Sequence, residues 1–383
     1  MNHQQILNVS LPEHLPMKRE RHLLLLFAAL VSLGMILGLL LTPETGPPRV
    51  ELPVPADPGL SGTQEIRPQQ VSHRTWKPIL CERLFELGAR PHKLLGDPID
   101  VRTDGAGNIY VLDWSNRCVQ EYTPEGTLLR TFGGVSGRGP GEFSNPTALE
   151  VTQDGRVWVC DPVNGFITVF AHDGSVERTI RTERPPHRLA LLGDHGFVVI
   201  FSPAGEFLFH RYTQDGRSID TCGSLMKDQS RMSVILDGRC AGSDDGRFVY
   251  AGYRAGVLGL FNPARTPSLF FAHTLEHPGL PKVLTQQSSE MRYVRVHPDA
   301  PLVSRCVSLV GAQVHILTGI LNDDRKSVMD VYDHETGAYE HSYALPEAVG
   351  NMRRTDRMLY TIADTTVTVW RVWDPGLPLV SVY

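Results

Sequence analysis

Beginning at Asp104, the chain repeats itself. Residues 104–113 read Asp-Gly-Ala-Gly-Asn-Ile-Tyr-Val-Leu-Asp, and the pattern returns at 153–161 as Gln-Asp-Gly-Arg-Val-Trp-Val-Cys-Asp, with Asp161 lying 48 residues after Asp113. A period of this size marks a repeat architecture, in which one small unit cannot bury its own apolar face and stacks against copies of itself.

The unit has three parts. The first is a turn followed by an apolar strand, seen at Ile109-Tyr110-Val111, Val157-Trp158-Val159, Phe197-Val198-Val199, Phe248-Val249-Tyr250, Val314-His315-Ile316 and Leu359-Tyr360-Thr361. The second is a strand ending in an aromatic residue: Tyr122, Phe170, Tyr212, Phe261, Tyr332 and Trp370. The third is a tight turn after that aromatic, such as Pro124-Glu125-Gly126, His172-Asp173-Gly174 or Gln214-Asp215-Gly216. Asp-Gly and related pairs suit hairpins, because glycine takes the positive φ that such turns require. Short strands separated by turns this close predict antiparallel sheets, and units of this length predict four-stranded propeller blades. Six units predict a six-bladed, all-β propeller. The longest gap between units is expected to hold a long loop over residues 277–301. The segment from Trp76 to Gly88 has the pattern of an outermost strand and is expected to complete the last blade beside the strand at 366–372, which removes the open sheet edges.

The first two units resemble the NHL-type six-bladed propeller family. The matching residues are Asp113-Trp114-Ser115-Asn116-Arg117, which fits the family's Asp-x-x-Asn-x-Arg turn with its arginine one place early. Tyr122 with Gly126, Phe132-Gly133, Gly139-Pro140-Gly141-Glu142-Phe143 and Pro146 also match. The resemblance covers about 90 residues closely and the other units by pattern alone. It implies the propeller fold, but the family hosts enzymes, sensors and scaffolds, so it does not choose among functions.

Ahead of the repeats, residues 23–41 carry no charge. As a helix they would span about 28 Å, close to the thickness of a bilayer core. Lys18, Arg19 and Arg21 precede this run and the next basic residue is Arg49, so the positive-inside rule puts the amino terminus in the cytoplasm. The run is longer than a signal peptide's apolar region and ends without a small-x-small site, so an uncleaved anchor is expected. Ser32, Gly34 and Gly38 are candidates for close packing against another membrane helix. The expected organisation is a cytoplasmic arm at 1–21, a transmembrane helix at 22–42, a proline-rich tether at 43–74 and the propeller at 75–383. The propeller would lie in the periplasm, with the anchor in the inner membrane.

Chemistry is sparse. A net charge of -5 does not suggest a nucleic-acid surface. The six cysteines are scattered without metal spacing and read as small unpaired residues, although an oxidising compartment would permit one disulfide. The histidines are dispersed, and no metal or cofactor site is expected; His315 stands out because it occupies an otherwise apolar strand. Asp113, Asp161 and Asp364 end strands, where a carboxylate accepts backbone N–H groups of the following turn. Asp113, Asn116, Asp161, Gly141 and Pro146 are therefore expected to be structural turn residues. The glycine-rich run at 133–141 lacks the Lys-Ser/Thr ending of a phosphate loop and reads as a crossover between blades. Arg353, Arg354 and Arg357 read as a solvated basic face. No catalytic set is apparent, and the expectation is a non-enzymatic scaffolding subunit of a membrane protein complex, photosynthetic and respiratory assemblies being examples. The alternatives are a ligand-binding sensor and a metal-dependent hydrolase or lyase with an axial site.

Overall fold

In a computed structural model, residues 66–88, 95–202, 204–226, 233–287 and 292–373 are described. The expected cytoplasmic arm, membrane helix and most of the tether lie outside them, as do Ser32, Gly34 and Gly38. Among the described residues no helix is long and apolar enough to cross a membrane.

Among the described residues, β1 (Ile66–Arg67) and β2 (Leu80–Leu87) come first, and their partners lie far down the chain. Blade one is β3 (Pro98–Thr103), β4 (Ile109–Asp113), β5 (Cys118–Tyr122) and β6 (Leu128–Gly133). Blade two is β7 (Ala148–Val151), β8 (Val157–Asp161), β9 (Phe166–Phe170) and β10 (Val176–Arg181). Blade three is β11 (Pro186–Leu191), β12 (Phe197–Phe201), β13 (Phe209–Tyr212) and β14 (Ser218–Cys222). Blade four is β15 (Gly238–Gly242), β16 (Phe248–Gly252), β17 (Val257–Phe261) and β18 (Leu269–His273). A hairpin, β19 (Val283–Gln287) with β20 (Arg292–Val296), follows. Blade five is β21 (Ser304–Val310), β22 (Gln313–Leu321), β23 (Ser327–Asp333) and β24 (Tyr339–Ala344). Blade six is β25 (Asn351–Arg354), β26 (Met358–Ala363) and β27 (Thr366–Trp373), completed by β2.

The chain is thus a six-bladed propeller of four-stranded antiparallel blades. The six apolar segments found in the sequence are the second strands, and most of their residues are buried because each blade packs on both sides. A separate apolar core fills each of the six seams between blades. The seam between blades six and one joins Tyr360, Ile362, Val367 and Val369 to Val101, Ile109, Val111 and Tyr122. Innermost strands neighbour one another in the order β3, β7, β11, β15, β21, β25 and back to β3, so the ring is closed around an axial channel.

Closure is made by β2, which pairs antiparallel with β27 from Leu80↔Trp373 to Leu87↔Val367. This is the outer-strand pairing expected for 76–88. The stretch expected to be a long loop at 277–301 instead contains the β19–β20 hairpin. A two-stranded ribbon with no blade pattern of its own gives little periodic signal, and Val294 and Val296 pack against the core between blades three and four.

Docking of the chain on the propeller begins within the expected tether. At the edge of blade four, β1 runs parallel to β18, with Ile66 opposite Phe271. Gln69 donates its side-chain N–H to the carbonyls of His273 and Gly337, bridging blades four and five. Arg74 forks onto Asp330 at 2.9 and 3.0 Å. Trp76 makes a parallel bridge to Ser342 on blade five, and β2 then lies on blade six. Residues 66–87 therefore form a strap across the outer edges of three consecutive blades.

Candidate functional site: the axial channel and its mouth

Each innermost strand starts at the same end of the ring, where the turns between second and third strands also lie. The pairing of each innermost strand with its neighbour fixes equivalent positions. Asp100 opposite Leu112, Ala148 opposite Cys160, Arg188 opposite Ile200, Arg239 opposite Ala251 and Asn351 opposite Ile362 form a tier near the mouth. Two residues deeper, Arg102, Glu150, Ala190, Ala241, Ser308 and Arg353 form a second tier.

These side chains make a buried charge network. Arg102 ion-pairs with Asp100 of its own strand and with Glu150 of blade two, the latter at 3.1 Å. Arg239 of blade four reaches across the ring toward Asp100 of blade one, 3.5 Å away. Arg188 donates to the carbonyls of Thr147 and Gly238 and to the Tyr253 hydroxyl, tying blades two, three and four together. Burial works against the Arg102 charge, but Asp100 and Glu150 outweigh it and hold the guanidinium above its ordinary pKa. Arg353 has the opposite fate. Burial, then the neighbouring Arg102 charge, push it down to about 10. Its Nη1 is buried without a hydrogen-bond partner. Above this network, at the mouth, is a cavity of about 320 Å³ lined by Asp97, Ile99, Arg239, Arg305, Asn351 and Asp364, among others.

The basic cluster expected on a solvated face is therefore divided. Arg357 is exposed, but Arg353 turns into the channel network because β25 is an innermost strand. The channel arginines escaped the sequence reading because they come from separate blades. The available signal was a charge in the first strand of every repeat: Asp100 and Arg102, Glu150, Arg188, Arg239, Arg305 and Arg353.

The turn residues lie at the same end. Asp113 is fully buried and accepts the N–H groups of Gly96 and Asp97, at 2.7 and 3.0 Å, and the side-chain amide of Asn116 at 2.7 Å. Asp161 accepts the N–H groups of Ser144, Asn145, Val163 and Asn164. Each carboxylate joins its own turn to the loop leading into the innermost strand of the same blade. Asp364 is exposed at the cavity rim. Gly141 has φ +81° and Pro146 is buried, both in the crossover from β6 to β7. That crossover inserts Phe143 between blades one and two, in edge contact with Phe170. Gly133 is required there, since its φ is +76° and a Cβ would meet the Phe143 ring at 2.5 Å.

The crossover is flanked by exposed apolar residues: Trp114 (45% exposed) in the β4–β5 turn, Val163 (49%) in the β8–β9 turn and Val135 (59%) in the crossover itself. The Trp114 indole N–H donates to Asn145 Oδ1 at 2.7 Å, which fixes the ring while leaving its surface open. Asn164 clamps the same crossover by donating to the carbonyls of Gly137 and Glu142.

Among the described residues, no group of three or more His, Cys, Asp or Glu side chains could hold a metal. His315 is buried with Nδ1 unpartnered, and burial, reinforced by Arg354 and His341, lowers its pKa to about 3. All six cysteines are free thiols. Burial pushes Cys306 up to about 11 and Cys240 up to about 12, which keeps both protonated and weakly nucleophilic.

No protein-family model and no curated protein sequence matches this chain. Solved structures do. A Bacteroides fragilis protein described as exported aligns with a TM-score of 0.54 at 11% identity, over 81% of this chain and 99% of that one. Virginiamycin B lyase from Staphylococcus aureus aligns at 0.45 and 9% identity, over 76% and 99% of the two chains. The WD40 repeats of RRP9 align at 0.47 and 11%, over 76% and 97%. Likeness at such identities reaches the propeller fold and no further.

Proposed function

We propose that this protein is a non-enzymatic scaffolding subunit of a membrane protein complex, a helix-anchored relative of the NHL-type propellers. One helix at 22–42 would hold it in the inner membrane with the amino terminus inside, and the propeller would dock on the periplasmic face of integral membrane partners. The observation that carries this reading is the set of exposed apolar residues around the β6–β7 crossover, Trp114, Val135 and Val163, with the Trp114 ring held by Asn145. Tryptophan is enriched among residues that dominate binding energy, and loss of such an anchor typically costs 2 kcal/mol or more, by roughly the usual measure of a hot spot. A closed ring also supports docking, because it presents many loops on a frame that does not deform.

The test is purification in mild detergent through a tag on the propeller, followed by mass spectrometry and an absorption spectrum of the particle. Stoichiometric membrane proteins should accompany the wild type. They should be depleted by Trp114→Ala, which should not alter melting, and by Gly34→Ile with Gly38→Ile. Pigment or haem bands would tell a photosynthetic from a respiratory assembly. A lone monomer, or partners unaffected by both sets of substitutions, would sink the proposal.

A further inference from the structure

The inner channel holds an uneven set of charges. Arg102, Arg188, Arg239 and Arg353 share two buried carboxylates, Asp100 and Glu150. Arg102 takes both carboxylates, Arg239 shares Asp100 and Arg188 is met by two carbonyls and the Tyr253 hydroxyl, so Arg353 is left without a direct partner of its own. It stands in the same tier as Arg102, on the adjoining blade, with a buried Nη1 that no group satisfies. Arg353 is half-buried, and a partly desolvated guanidinium with an inner nitrogen that lacks a direct partner is costly. The equivalent positions in blades three and four are Ala190 and Ala241, which bring no competing group.

We infer that the channel binds one small carboxylate monoanion, gripped by the Arg353 guanidinium and admitted through the mouth cavity past Arg239 and Arg305. The class follows from three observations. A guanidinium is a planar fork that matches the two oxygens of a carboxylate. The inner set carries more guanidinium groups than carboxylates. The exposed carboxylates Asp97 and Asp364 at the rim oppose the entry of multiply charged anions. The site is independent of the scaffolding role, since it needs only the isolated propeller ring.

The experiment is a calorimetric titration of the purified full-length chain with acetate, at constant ionic strength in chloride-free buffer, repeated with chloride and with succinate. One acetate should bind per chain, and its affinity should fall about ten- to hundredfold in Arg353→Met, the loss expected for a charge-assisted hydrogen-bonded pair. Arg217→Gln, on an exposed hairpin, should change nothing. Without acetate, Arg353→Met should melt no lower than the wild type, because it removes an unpaired charge. Arg353→Lys, which keeps the charge and loses the fork, gives a second test should the methionine variant fail to fold, and it should weaken acetate by about tenfold. Absence of saturable binding to the wild type, an affinity unchanged in the Arg353 variants, or tighter binding of chloride or succinate than of acetate would overturn the inference.

Discussion

Arg117 and Gly165 hold the same place in the turns of blades one and two, and both have positive φ, 51° and 73°. For arginine that conformation is strained, and for glycine it is free. Nothing lies within 4 Å of a Cβ added to Gly165, so substitution there tests the backbone alone. Gly165→Ala should destabilise by about 1 kcal/mol in urea unfolding, while Arg117→Gly should be neutral or slightly stabilising. His315 makes a prediction about pH. Its native pKa is about 3 against an ordinary 6.5, so the unfolded chain binds the extra proton. The stability it contributes is complete above about 6.5 and is lost as pH falls toward 3. His315→Leu should therefore flatten the acid side of the stability profile, by about 2 kcal/mol between pH 7.5 and pH 5. A change in midpoint that is equal at both pH values would count against this assignment. The residue scale was partly legible in the sequence. The Asp113 turn could be read because one partner, Asn116, is local, and His315 stood out against an apolar pattern. Arg353 did not, because what makes it unusual is a neighbour on another blade.

At the scale of elements, the strap depends on a single deep anchor. Arg74 pairs with Asp330, whose side chain is 1% exposed and also accepts from the Ser342 hydroxyl. Arg74→Met should cost about 3–5 kcal/mol, because it leaves a buried carboxylate without its counter-charge. Burial already raises the Asp330 pKa despite Arg74. A raised native pKa means the folded chain holds the proton more tightly, so stability falls as pH climbs through that range. Losing Arg74 raises the pKa further, and the variant's deficit should be smaller near pH 4.5 than at pH 8. An equal deficit at both pH values would show that Arg74 acts by packing alone. The strap was only half visible in the sequence. The segment from Trp76 carries the outer-strand pattern, whereas 66–74 looks like spacer, since a two-residue strand and single side-chain anchors leave no periodicity. The β19–β20 hairpin was missed for the same reason.

At the scale of the molecule, the repeat period gave the blade count, because six similar units have one common way to cover their apolar faces. The seams show why this worked. Each needs only apolar residues at the period of the strand, and these recur in every unit. The channel is the complementary case. Its chemistry arises where six different strand positions meet on one axis, and no local pattern records that meeting. The strap adds a constraint of sequence order. Its three docking edges are completed at His273, Ala344 and Trp373, and its contacts run in the same direction along the chain, from Ile66 to Trp76 to β2. A chain made from its amino end therefore presents the segment first and then supplies its berths one after another. Blade six receives its fourth strand only once the last berth exists, so β2, made early, waits for β27 to lock it in place.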